Sequence, residues 1–198
     1  MAADIEAILR NLLASYDFAD KTLVAIGAGG GQFAGYGSVA RRVIAVDSDA
    51  AAIAQLAARV AELGLTEKFE LVTGDFFAEL HRGDVVLFEF CLHEMPDPEK
   101  AIARAREMAA DVVIIDHYPG SPWAFQVVEE EKVARCWEAI RGRRPRMVKS
   151  FEALQRFARY DDLLARVATQ GEVAVERARP FADARDITIR ASYAVVLL

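Results

Sequence analysis

The sequence predicts a doubly wound α/β domain: a seven-stranded sheet of five parallel strands plus a C-terminal antiparallel hairpin, with helices on both faces. Three observations predict it. Short apolar runs of strand length alternate with segments of helical spacing from residue 22 to residue 116. The first such run, Thr22–Ile26, ends in Gly27-Ala28-Gly29-Gly30-Gly31, where a strand must turn tightly. Two strand-like segments, 172–178 and 186–197, close the chain with only the polar link 179–185 between them.

Ahead of the first strand, Ile5, Ile8, Leu9, Leu12 and Leu13 stand at helical spacing, so residues 4–15 form an amphipathic helix. Strand one is 22–27. The helix after it is short and poor, because Gly35 and Gly37 interrupt it. Strand two is 42–47, and the alanine-rich helix 49–63 stops at Gly64. Strand three is 68–72 and strand four 84–90. Asp97 caps a helix that starts at Pro98 and runs to 109. Strand five is 112–116. Ser121 caps a helix with Pro122 in its first turn, running to 141. Helices at 150–158 and 161–169 follow, then the two closing strands.

With no repeats or linkers, the chain reads as one domain, 1–198. It divides into an N-terminal helix or lid (1–19), a cofactor-binding core (20–118), a helical acceptor-side region (119–170) and a terminal strand pair (171–198). At 198 residues it can bury a proper core, and its 54% hydrophobic content excludes a disordered chain. No apolar run is long enough to span a bilayer, and the N-terminal segment is acidic and helical rather than signal-like. Cys91 and Cys136, far apart, suggest reduced thiols and a cytoplasmic protein without stable membrane association. The net charge of −6 argues against nucleic acid as a partner. Arg141, Arg143, Arg144, Arg146 and Lys149 are a local exception, either a solvated loop or a patch for an anionic substrate.

The glycine-rich turn and Asp47, sixteen residues after Gly31, describe a pocket for an adenosine-containing cofactor. Glycines let the backbone approach the ligand, and a carboxylate at the end of strand two can accept hydrogen bonds from both ribose hydroxyls. A dinucleotide fingerprint needs glycine at position 32, which is Gln32. That counts against a nicotinamide-dependent oxidoreductase.

The pattern Gly27-x-Gly29-x-Gly31 with Asp47 resembles the first two motifs of class I S-adenosylmethionine-dependent methyltransferases. The resemblance spans about residues 20–118. Leu71–Phe77, LVTGDFF, is similar to the third motif, which implies that Asp75 binds the adenine amino group and Phe76 packs on the ring. Asp75 could otherwise cap its own turn. Residues 84–103 resemble the fourth motif through Leu92, His93, Asp97 and Pro98, which puts Glu89, Phe90 and Cys91 beside the methionine part and the methyl. Two departures stand out. The acid many members carry two residues before the first glycine is Ala25 here, leaving Glu6 or Asp20 as candidate substitutes; and Met108-Ala109-Ala110-Asp111 stands where many have Lys-Pro-Gly-Gly.

The resemblance implies S-adenosylmethionine as cofactor and S-adenosylhomocysteine as product; the lack of a strong basic face, and Glu89-Phe90-Cys91-Leu92 where amino- and base-methylating members carry an Asn/Asp-Pro-Pro-Tyr-type sequence, point to a small-molecule methyl acceptor through O, N or S. The protein is expected as a monomer or homodimer. The alternatives are a non-catalytic cofactor-binding protein of the same fold and a phospholipid headgroup methyltransferase, the latter suggested by the basic cluster. If the acceptor must lose a proton, His117, after strand five, is the favoured base and His93 the other candidate; His93 could equally serve packing. Tyr118, Trp123, Phe125 and Trp137 form a candidate aromatic wall, or ordinary core. The N-terminal helix, with Tyr16 and Phe18 at its end, could close over the cofactor. Cys91, His93, Asp116 and His117 have the chemistry of metal ligands but match no zinc spacing, so no metal is expected.

Overall fold

A computed structural model describes residues 4–78 and 80–198; residues 1–3 of the expected N-terminal segment lie outside the described residues. The strands are β1 (Thr22–Ile26), β2 (Arg42–Asp47), β3 (Phe69–Thr73), β4 (Val85–Glu89), β5 (Asp111–His117), β6 (Met147–Arg159) and β7 (Arg185–Leu197). They form one sheet in the order β3-β2-β1-β4-β5-β7-β6. The first five are parallel; β7 is antiparallel to both β5 and β6. The order reverses direction at β1 and β4, and a crevice opens there beyond the carboxyl ends of the strands.

Period-two alternation divides the core into two layers. Leu23, Ala25, Val85, Leu87, Val113 and Ile115 face one layer, covered by α1 (Ile5–Leu13), α2 (Ala50–Glu62), α4 (Pro122–Gln126), α6 (Tyr160–Val167) and α7 (Glu172–Ala178). Val24, Ile26, Val86, Phe88, Val112 and Ile114 face the other, covered by α3 (Pro98–Met108) and α5 (Glu130–Gly142). Each fully buried aliphatic side chain stabilises the sheet by roughly 1.5–3 kcal/mol. Strands buried on both faces must therefore read as the continuous apolar runs seen in β1, β4 and β5. Asp97 and Ser121 cap α3 and α4 as expected, accepting from Lys100 N (2.9 Å) and Ala124 N (3.4 Å). The glycine-interrupted segment is a single short 3-10 helix, Ala34–Ser38.

The chain beyond β5 corrects the sequence reading. The expected helix 150–158 is the strand β6, and the expected strand 172–178 is the helix α7. The terminal pair is therefore 147–159 with 185–197, not 171–198, and α6 and α7 connect its strands instead of the short link 179–185. Region 119–170 is accordingly not all helical. The residues of β6 are good helix formers, but Phe151, Ala153, Gln155 and Phe157 also alternate, and twelve residue pairs with β7 decide for the strand. Residues 173–175 alternate valine and alanine, yet the segment 172–178 is helical. As a helix they bury Ala174 and Ala178, four apart on one face. The expected single helix 122–141 breaks at 127–129, where Val128 has φ +62°.

Candidate active site

Two cavities adjoin at the crevice and share Gly27 and Glu94 in their walls. The larger, about 480 Å³, lies over the ends of β1, β2 and β3 and is lined by Asp47, Asp75, Phe76, Phe77 and Met95, among others. The smaller, about 290 Å³, lies over β4 and β5 and holds Gly29, Glu89, Phe90, His93, His117 and Glu129.

The glycines have three different jobs. Gly27, at φ +68°, leaves no room for a side chain: a Cβ would stand 2.5 Å from that of Cys91. Gly29, at φ +50°, is open; its nearest neighbour to an added Cβ is the Gly27 carbonyl at 3.7 Å, so its missing side chain is cavity space. Gly31 lines neither cavity. It lets the loop pack on α2, where a Cβ would meet Leu56 Cδ1 at 2.9 Å. Asp47 braces this loop, accepting from Gly29 N (2.9 Å) and Asp49 N (3.0 Å), and keeps lone pairs toward the larger cavity. Asp75 accepts from Phe77 N (2.9 Å), the turn contact considered above, and also lines the larger cavity. Phe76 is buried edge-on against Phe88, with ring centroids 5.6 Å apart.

Ala25 is sealed in the core. Neither proposed substitute is in place: Glu6 is exposed in an ion pair with Arg10, and Asp20 is exposed. The acid in the cavity is Glu89, buried at the end of β4 and accepting from Tyr36 Oη at 2.6 Å. Burial pushes its pKa up to about 8. The Tyr36 hydrogen bond opposes this rise, and the Asp47 carboxylate adds to it. Phe90, the next residue, is held at φ +50°. Its ring stacks on Phe33 (5.9 Å) and meets the edge of His117 (5.2 Å).

Side chains alternate along β5, so Asp116 points to the α5 layer while His117 points into the smaller cavity. Asp116 is 1% exposed and accepts from His93 N (3.0 Å), His93 Nδ1 (2.5 Å) and His117 N (2.7 Å). That fixes His93 with Nε2 turned to the cavity, 3.6 Å from Glu129 Oε2 and 3.4 Å from Glu94 Oε1. His117 Nε2 also stands 3.6 Å from Glu129 Oε2. Burial disfavours a charged His93, but hydrogen bonds and charges from Asp116 and Glu129 prevail and hold its pKa up at about 10. His117 goes the other way: burial lowers its pKa, and the neighbouring His93 lowers it further, against the pull of Asp116 and Glu129. One ring is thus charged and the other neutral near pH 7 in the ligand-free protein.

Residues 24–111 match the family model described as "Methyltransferase domain". The match is to this segment, and the whole chain has the seven-stranded methyltransferase fold. Among solved structures, a Bacillus halodurans protein assigned as a candidate methyltransferase superposes with a TM-score of 0.71 at 16% identity, covering 96% of this chain and 97% of that one. Geranyl diphosphate C-methyltransferase from Streptomyces coelicolor, solved with Mg2+, geranyl diphosphate and S-adenosylhomocysteine, gives 0.62 at 15% identity, covering 97% and 78%. The [4+2]-cyclase SpnF gives 0.62 at 12% identity, covering 97% and 80%. At these identities the likeness is one of fold, and the cyclase shows that the fold alone does not set the reaction. No curated protein sequence matches the chain.

The expected aromatic wall is largely displaced. Of its members only Trp123 lines the smaller cavity, stacked on Phe157 at 5.8 Å. Phe125 is 52% exposed under the Arg177 guanidinium, and Tyr118 and Trp137 pack in the opposite layer. Trp137 Nε1 donates to the His117 carbonyl (2.6 Å), so it positions the histidine from behind. The aromatic lining is instead Phe33, Phe90, Trp123 and Tyr193. Ile5 and Ile8 of α1 cover this cavity, while Tyr16, bonded to Asp111 (2.6 Å), and buried Phe18 anchor the other end of the segment. None of the basic cluster lines either cavity; Arg146 pairs with Asp111, at the amino end of β5. Among the described residues no helix is long and apolar enough to cross a membrane.

Glu129 was missed in the sequence because Glu129-Glu130-Glu131 reads as a solvated acidic run. The turn at Val128 separates them, sending Glu129 inward and Glu130 to an ion pair with Arg177. A β-branched residue at positive φ is a strained position, costing on the order of 1–3 kcal/mol, and such strain gathers at functional sites.

Proposed function

We propose that the chain transfers the methyl group of S-adenosylmethionine to a small-molecule acceptor. The observation that carries this reading is the pair of adjoining cavities meeting at Gly27 and Glu94: an acidic and aromatic cleft suited to adenosine beside a half-open chamber with buried imidazoles. In this reading Gly27 and Gly29 admit the cofactor, and Gly31 holds the loop. Asp47 takes the ribose hydroxyls, Asp75 and Phe76 the adenine, and Glu89 and Phe90 the methionine end. Glu89 supplies the acid that Ala25 lacks.

Transfer from a sulfonium is an in-line displacement in which positive charge is lost, so alignment in a water-poor chamber does most of the work. The small volume and the cover from α1 favour a small acceptor over a polymer. His117 offers the acceptor a neutral imidazole, and His93, tied to Asp116, orients the chamber floor. The two free thiols fit a reducing, cytoplasmic setting. Calorimetry with S-adenosylhomocysteine, with NAD as the control, tests the cofactor assignment. One site for the former and none for the latter is expected; absence of S-adenosylhomocysteine binding sinks the reading. Labelled-methyl transfer across phenols, thiols, amines and carboxylates then identifies the acceptor atom.

A further inference from the structure

His93, His117 and Glu129 bring two imidazoles and a carboxylate together, with ligand-capable atoms all within 4.8 Å of one another. Both imidazole Nε2 atoms stand 3.6 Å from the same carboxylate oxygen, Glu129 Oε2. Ligands at roughly 2.0–2.2 Å from a tetrahedral metal lie about 3.3–3.6 Å apart, which the two histidine–carboxylate separations match; the two imidazoles, within 4.8 Å of each other, close on the ion when it binds. Asp116 accepts from Nδ1 of His93 at 2.5 Å, the carboxylate–histidine arrangement that fixes a ligating ring's tautomer and direction. Glu94 Oε1 lies 3.4 Å from His93 Nε2, a fourth oxygen at the rim, and its other oxygen is paired with Lys132 at 2.6 Å. Trp137 holds the His117 backbone from behind. Three carboxylates thus surround two buried imidazoles, with one lysine paired to the outermost of them. His117 Nδ1, buried and without a hydrogen-bond partner, leaves that ring undercommitted within the protein.

We propose that His93, His117 and Glu129 bind a divalent first-row transition-metal ion in the acceptor cavity. Two histidines and one carboxylate, with coordination positions left open, suit Zn2+ or Fe2+ better than Mg2+ or Ca2+, which prefer all-oxygen shells. The site lies in the chamber with Gly29, Glu89 and Phe90, on the acceptor side of the cofactor assignment, and its role rests on that assignment. An acceptor hydroxyl or thiol that coordinates the ion loses its proton to solvent. Its oxygen or sulfur lone pair then forms the bond to the methyl carbon as the carbon–sulfur bond breaks, with that electron pair staying on the cofactor sulfur. His117 is then a ligand rather than a free base, and the acceptors of choice are phenols, enols, alcohols or thiols rather than amines.

The test uses chelator-stripped full-length protein titrated with Co2+, then with Zn2+ in competition. One equivalent of Co2+ with visible d–d absorption, displaced by Zn2+, is expected. Glu129→Gln should weaken Zn2+ binding by at least tenfold, and Asp116→Asn, acting through His93, by roughly 10–100-fold. Circular dichroism and S-adenosylhomocysteine calorimetry on the same samples separate lost metal from lost fold or lost cofactor. Wild-type protein that binds no stoichiometric Co2+ while binding S-adenosylhomocysteine overturns the metal site and leaves the cofactor reading standing. Metal binding without S-adenosylhomocysteine binding supports the site and overturns the cofactor reading. Unchanged affinity in Glu129→Gln overturns the assignment of these ligands.

Discussion

The proposed cofactor side and the proposed acceptor side of this crevice are built in opposite ways. Over β1 to β3 the working groups are backbone turns and the carboxylates within a residue or two of strand ends, Asp47 and Asp75. Over β4 and β5 they are side chains from distant parts of the chain: Ile8 of α1, His117 of β5, Glu129 beyond α4, Gln155 of β6 and Tyr193 of β7. The paired ribbon β6–β7 explains much of this. Only 193–197 of β7 pair with β5, so 185–192 and their partners on β6 overhang the end of β5 and wall the chamber. A local motif suffices to hold a ligand by its backbone; a chamber shaped to an acceptor is assembled by packing.

If the contrast holds, substitutions on the two sides separate turnover from cofactor affinity. The largest effect is expected from His117→Ala. Turnover should fall by about 10²–10⁴-fold, with S-adenosylhomocysteine affinity near wild type. A matching loss of cofactor affinity would merge the two sides. Next is Gly29→Val, whose side chain enters open cavity space: S-adenosylhomocysteine binding should disappear, while strain at φ +50° costs only about 1–2 kcal/mol of stability. Gly27→Val is its counterpart, since a Cβ there meets Cys91 and lowers the melting temperature more. Normal binding by Gly29→Val would make the turn purely structural. Asp47→Ala should cost about 1.5–3 kcal/mol of cofactor binding, part of it through the lost brace on Gly29 N. An unchanged dissociation constant would remove the ribose assignment.

The remaining prediction is one of stability rather than binding and concerns Glu89, faced by Tyr36 and Asp47. Its folded-state pKa of about 8 lies above the unfolded carboxyl value of about 4.3. Between these values the folded protein binds the extra proton, so stability falls as pH rises through the interval and levels off above it. Urea midpoints from pH 5 to 9 should show this decline in the wild type relative to Glu89→Gln. Parallel profiles would mean that Glu89 is ionised throughout.

Legibility followed the same divide. β2 and the caps Asp97 and Ser121 were readable because their signals are local: apolar runs, a capping side chain, a glycine after a helix. Glu89, Phe90, His93 and His117 were readable as positions, being attached to strand ends. Their relation to one another was not, and neither was Glu129, whose direction depends on the turn at Val128. The spacing of Cys91, His93, Asp116 and His117 matches no zinc pattern, and in the fold Cys91 bonds to the Ile26 carbonyl and Asp116 stands behind His93, while Glu129, from a different segment, meets the two histidines.

By itself the sequence determined the five parallel strands, the glycine-rich turn and the carboxylate after β2, because continuous burial and positive φ demand particular residue types wherever they occur. Tertiary structure alone decided β6 against helix, α7 against strand, and the meeting of Glu129 with two histidines. Residues 147–159 and 172–178 have near-balanced local preferences. For these the partner strand β7 and the burial of Ala174 and Ala178 supply the deciding free energy, and neither is a property of the local sequence.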